Sequence, residues 1–100
     1  MAHLGFDQLA LELFCRRNHI RRLALFGSAI DGHVGPASDI DLLVEFDVRH
    51  VPGLLRVAEM ELELAALLGV AEVDLRTYED LSRYFRDEVR ATARALYDAA

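Results

Sequence analysis

The sequence contains no tryptophan and no lysine, one cysteine and two prolines, and each shortage removes a class of explanation. All eleven basic residues are Arg, which excludes lysine Schiff-base chemistry and a Walker-type phosphate loop, since both need a Lys. Cys15 alone can form neither an intramolecular disulfide nor a multi-thiolate zinc site. No apolar run approaches the ~20 residues that cross a bilayer. The start, MAHLGFDQLA, lacks the basic and apolar regions of a signal peptide, so a reducing cytoplasm without membrane association is the expected setting. Positive charge is also in short supply. Seventeen acidic against eleven basic side chains leave a net charge of −6, which repels polyanions and argues against strong nucleic-acid binding.

What is present is enough to fold. With 53% hydrophobic and 28% charged residues, the chain has the composition of an ordered protein, and one hundred residues support a single domain spanning 1–100. Apolar residues at helical spacing over Phe6 to Asn18 predict an amphipathic helix. LALF, stopped by Gly27, and IDLLVEF, from Ile40 to Phe46, read as strands, with a Gly- and Pro-containing loop between them. A long helix is expected over Leu54 to Leu68, closed by Gly69. It carries two apolar stripes, one of Leu54, Ala58, Leu62 and Ala65 and one of Val57, Met60, Leu64 and Leu67. That width serves either a deeply wedged helix or a homo- or hetero-oligomeric contact through residues 54–68. VDLRT, Val73 to Thr77, is a third strand, and a helical segment is expected from Tyr78 to about Tyr97. The order predicts an α/β (α+β) fold, a small mixed β-sheet flanked by helices.

The informative stretch is LALFGSAIDGHVGPASDIDLLVEF. Gly27-Ser28 ends one strand, and after ten intervening residues Asp39-Ile40-Asp41 opens the next. Carboxylates at i and i+2 of a strand share a face, roughly 6 to 7 Å apart at the Cα level, and can converge on divalent cations. Hard cations such as Mg²⁺ take carboxylate oxygen and keep positions for water and substrate phosphates. Gly27, without Cβ, lets the backbone approach a phosphate, and Ser28 adds a hydroxyl and an N–H. Asp74 joins Asp39 and Asp41 if its strand lies beside theirs, and three carboxylates then suffice for two metal ions against a nucleotide.

Plainer readings compete at single positions. Asp39 after Ser38 is also ordinary turn chemistry, whereas Asp41, inside an apolar strand, needs a partner or a cation. Arg83, Arg86, Arg90 and Arg94 recur at three- and four-residue spacing, as a stripe that either grips RNA or an acidic partner or is solvated beside Glu79, Asp80, Asp87 and Glu88. His3, His19, His33 and His50 show no metal-ligand spacing, and Cys15 reads as a small apolar residue.

Taken together, Gly27-Ser28, the spacer, Asp39-x-Asp41 and Asp74 in a VDL strand resemble the nucleotidyltransferase superfamily that includes DNA polymerase β. The helix before LALFGS, the run SDIDLLVEF, the helix with ELELAALLGV and the segment VDLRTYEDLSRYFRDEV resemble more closely the minimal nucleotidyltransferase family, antitoxin partners of HEPN-domain toxins. The resemblance implies a nucleotidyltransferase fold and transfer of AMP from ATP, with two Mg²⁺ ions, onto a hydroxyl of the toxin, often a tyrosine. It assigns Gly27 and Ser28 to the nucleotide, Asp39, Asp41 and Asp74 to the metals, and Asp74 also to deprotonating the incoming hydroxyl. One position departs from the family pattern. Asp31 stands where an Arg often follows Gly-Ser, an anion in place of a phosphate-facing cation, and Arg76 is a candidate replacement. The alternative is therefore a catalytically weak or inactive protein that neutralises its partner by binding alone. A small-molecule nucleotidyltransferase of the aminoglycoside-modifying kind is a third reading.

Overall fold

A computed structural model describes residues 6–27 and 35–99. Its first helix, α1 (Gln8–Arg17), starts where the Asp7 carboxylate accepts hydrogen bonds from the backbone N–H groups of Leu9 (3.0 Å) and Ala10 (3.4 Å). Arg16 and Arg17 complement the negative end of the dipole in its last turn. Asn18 ends the helix with its backbone N–H and its side-chain amide both returned to the Phe14 carbonyl. His19 then takes φ +57°, reversing the chain into β1 (Ile20–Phe26).

β2 (Asp39–Phe46) runs antiparallel to β1, and α2 (Leu54–Leu68) carries the chain back to β3 (Glu72–Arg76), which is parallel to β2. Gly69 adopts φ +70° at the C-terminus of α2, the left-handed conformation expected of a glycine helix stop. The helix bounds match the sequence expectation, and the burial pattern separates its two stripes. Met60, Leu64 and Leu68 are buried, with Val57, Ala65 and Leu67 packed around them, whereas Leu54, Leu55 and Leu62 face outward.

The C-terminal region corrects the sequence reading. Instead of one helix from Tyr78 to Tyr97, a 3-10 turn (Tyr78–Asp80) is followed by the short helix α3 (Arg86–Thr92) and then by β4 (Arg94–Asp98), antiparallel to β1. The physical reason is tertiary. RALYD has good helix formers, but the free edge of β1 carries backbone donors and acceptors that need partners, and β4 supplies them while packing Leu96 and Tyr97 against the core. The proposed arginine stripe is divided accordingly, with Arg86 and Arg90 on α3, Arg83 before it and Arg94 in β4.

The finished sheet has the order β3-β2-β1-β4, mixed in direction. One face carries the core, where Leu23, Leu25, Ile40, Leu42, Val44, Val73 and Leu75 meet Leu11, Phe14 and Cys15 of α1 and Met60, Leu64 and Leu68 of α2. Strand alternation sends Asp39, Asp41 and Leu43 of β2 and Glu72, Asp74 and Arg76 of β3 to the other face.

Candidate active site

The decisive register is that of β2 and β3. Asp41 is the direct partner of Asp74, Asp39 of Glu72 and Leu43 of Arg76. Facing residues of neighbouring strands sit about 4.8 Å apart and point to the same side. The three carboxylates singled out from the sequence are thus brought to one face and one end of the sheet. Glu72 joins that face, a fourth acid that the i, i+2 spacing to Asp74 would have revealed. Its exposure and its place opposite Asp39 put it at the rim.

On the other side of β2, Phe26 is the partner of Asp41, which puts Gly27 next to the same carboxylate. Gly27 has φ +79°, and a Cβ added there would lie 3.2 Å from Asp41 Oδ2. Two independent requirements therefore select glycine: the left-handed backbone conformation and the close approach of a carboxylate. Across the sheet the register row is Phe26, Asp41, Asp74, with Gly27 directly after Phe26 and close to the Asp41 carboxylate. Ser28 and Asp31, the other residues of the Gly-Ser segment with assigned importance, lie outside the described residues, as do His3 and His33.

Partial burial is the largest influence on Asp41 and raises its pKa above the ordinary carboxylate value. The charges of Asp74 and, more weakly, Asp39 push in the same direction, while Arg76 opposes them. The charged form of Asp41 is thus held under like-charge crowding, and bound cations would relieve it. Among the described residues no three His, Cys, Asp or Glu side chains are drawn together into a ready coordination cage. The donor set nonetheless fits magnesium: carboxylate oxygens only, on one face, with no thiolate or imidazole among them.

Other charged residues serve the scaffold. Glu45 pairs with Arg22 at 3.6 Å and with Arg90 at 3.3 Å, joining β1, β2 and α3. Arg86 and Arg90 lie over the Tyr78 ring, at 4.6 and 5.2 Å from its centroid, and the Tyr78 hydroxyl donates to Asp87. His19 and His50 stack with ring centroids 3.8 Å apart, so these two histidines pack the turn after α1 against the turn after β2. No sequence spacing connects them, because the contact is made by the fold.

Comparison with known proteins gives the same fold. The sequence profile of the Nucleotidyltransferase domain family matches residues 8–96. The protein adenylyltransferase MntA of Thermococcus cleftensis is 43% identical over 56 residues, 56% of this chain and 54% of that protein. The aligned part of the chain thus spans about half of that relative. A solved structure described as a minimal nucleotidyltransferase superimposes with a TM-score of 0.66 at 35% identity, covering 86% of this chain and 85% of that one. Two toxin–antitoxin structures share the fold at lower identity. One, with AMP-PNP, has a TM-score of 0.68 at 23% identity and covers 92% of this chain and 73% of that one. The other, MntA-HepT, has a TM-score of 0.61 at 20% identity and covers 91% and 69%.

Proposed function

Because the chain belongs to the Nucleotidyltransferase domain family, we propose that it acts as one domain over residues 1–100 and transfers AMP from ATP to a hydroxyl of a HEPN-type toxin. A tyrosine is the expected acceptor, and the protein works as the toxin's antitoxin in the cytoplasm. The observation that carries this reading is the pairing of Asp41 with Asp74 on adjacent strands, with Gly27 against Asp41. The names of the relatives support the substrate and the partner, an adenylyltransferase and toxin–antitoxin complexes of the same fold.

Asp39, Asp41 and Asp74 would hold two Mg²⁺ ions. When bound, the metals supply charge neutralisation for the triphosphate and for the leaving pyrophosphate. The chain's own residues do the rest. Gly27 lets the backbone come close to the phosphates on the β1 side, and Ser28 supplies a hydroxyl and an N–H beside it. Asp74, on the outer strand, receives the proton of the acceptor hydroxyl as its oxygen attacks the α-phosphorus and the bond to pyrophosphate breaks. Asp39 and Asp41 are anchored by a strand whose opposite face is packed into the core.

The test is incubation of the purified protein with labelled ATP, Mg²⁺ and the HEPN-domain toxin encoded beside it. Label moves to the toxin with the wild type and is lost with Asp41→Asn, which removes charge without volume. Absence of transfer by the wild type refutes catalysis. Asp31, an anion where the family often has an Arg, favours a second reading, neutralisation by binding alone. Toxin neutralisation that survives the Asp39→Asn, Asp41→Asn double variant selects that reading.

A further inference from the structure

Of the two apolar stripes on α2, the one through Leu54, Ala58 and Leu62 is turned to solvent. Leu54 and Leu62 are 90% and 74% exposed, Val51 just before the helix is 65% exposed, and Ala58 is exposed between them. Apolar surface gathered in one stripe gains from being covered. Beside it, α2 and the outer strand β3 enclose a groove in two parts, of about 420 and 270 Å³, which meet at Ala58 and Glu61. From Leu54 to Ala65 the groove follows α2 for about three turns, roughly 17 Å.

The lining selects the occupant. Glu61 and Asp80, with Glu72 at the rim, face the single cation Arg76, and the part that ends at Ala65 and Ala71 has Glu61 and Glu72 but, among the described residues, no cation. The groove is therefore acidic as well as apolar. The Glu61 carboxylate accepts a hydrogen bond from the Leu75 N–H at 2.8 Å, and Asp80 accepts one from the Thr77 N–H at 3.0 Å. Two backbone donors of the outer strand are thereby taken, which blocks an added strand at those points and leaves recognition to side chains. A second copy of this chain is a poor occupant, because each copy carries a net charge of −6 and brings the same acidic rim.

We propose that the groove anchors a basic amphipathic helix of the chain's protein partner, with large apolar side chains in its two parts and Lys or Arg toward Glu61, Asp80 and Glu72. This rests on the antitoxin reading above and adds the docking surface and the partner's chemistry to it. The anchor lies on the core side of β3. Val73 and Leu75 line it, whereas Asp74 between them is on the carboxylate face. Holding the partner and modifying it are thus tasks of opposite faces, which meet at the β3 edge.

Binding is measured by fluorescence anisotropy without ATP, using fluorescein-labelled helical peptides of about 18 residues with leucine at every third or fourth position. One peptide has Lys beside the leucines, a second has Glu in place of Lys, and a third has Ser in place of leucine. The wild type binds the Lys peptide about tenfold more tightly than either of the others. Leu62→Arg, at an exposed position, puts a cation in the groove and weakens the Lys peptide about tenfold, whereas Glu88→Gln, the same change of net charge on α3, leaves its affinity within about twofold. Circular dichroism checks that both variants fold, and sedimentation of the protein alone gives a monomer. No binding, equal affinity for the Lys peptide and either control, or equal effects of the two variants overturns the proposal. A dimer that Leu62→Arg dissolves assigns the groove to a second copy and overturns it as well. Selective peptide binding by a protein that does not neutralise the toxin overturns the antitoxin reading alone, and neutralisation by the wild type and Leu62→Arg alike, without peptide selectivity, overturns this proposal alone.

Discussion

Two glycines with the same backbone strain and different neighbours separate fold from chemistry. Gly27 and Gly69 have φ of +79° and +70°, but a Cβ on Gly27 would meet Asp41 Oδ2 at 3.2 Å, whereas nothing lies within 4 Å of one on Gly69. Placing an L-residue in the left-handed region costs roughly 1–2 kcal/mol. For a chain of this size each kcal/mol lowers the melting temperature by about 4–8 °C. Gly27→Ala and Gly69→Ala should therefore each melt about 4–16 °C below the wild type, measured by circular dichroism. Their activities should part. The new methyl at position 27 forces the Asp41 carboxylate back by a few tenths of an ångström and thickens the wall against which the triphosphate lies; since a 1 Å misplacement costs about 100-fold in rate, this smaller one should cost about 3- to 10-fold. A Cβ on Gly69 meets nothing within 4 Å, so that variant should lose none. The assay is transfer of label from ATP to the toxin at a temperature where both variants remain folded. Equal transfer by the two variants, or a Gly27→Ala protein as active as the wild type, refutes the argument that the Gly27–Asp41 contact belongs to the site.

Other perturbations have effects set by burial and charge. Burial, followed by the charge of Glu12, pushes the Cys15 thiol up to about 12 from its ordinary 9.0. The stability this represents is fully present below pH 9 and is lost as pH rises from there toward 12; urea denaturation across that range should fall more steeply for the wild type than for Cys15→Ala, and parallel curves would disprove it. Leu64 is fully buried and Leu62 is 74% exposed on the same helix, so Leu64→Ala should cost about 3 kcal/mol and Leu62→Ala no more than about 0.5 kcal/mol in equilibrium unfolding. α3 has no buried residue and is held through Arg90 on Glu45 and the Tyr78 cluster. Arg90→Ala should leave global stability within about 1 kcal/mol while amide exchange in residues 86–92 speeds up, a local change that unaltered exchange would exclude.

Most of the carboxylate site was legible because its signals are local. The i, i+2 spacing of Asp39 and Asp41 fixes their common face in any strand, and the apolar neighbours Ile40, Leu42, Val73 and Leu75 fix which face that must be. What spacing could not supply was the pairing of β2 with β3. That register is decided by how α2 returns the chain, and a shift of one residue would have sent Asp74 into the core beside Leu42. The C-terminal segment failed for the opposite reason. Its alanines and arginines carry a real helical preference, but preference worth tenths of a kcal/mol per residue yields to an unpaired strand edge, where each backbone group left without a partner costs more. The Gly27–Asp41 approach and the open groove beside Arg76 lay still further from sequence reasoning, since both are distances between segments. Residues that act through their own strand can be read one at a time, whereas those that act across strands wait for the register. A one-residue slip of β3 would abolish the site and at the same time turn Val73 and Leu75 out of the core and bury Asp74, so the packed face and the carboxylate face select the same register.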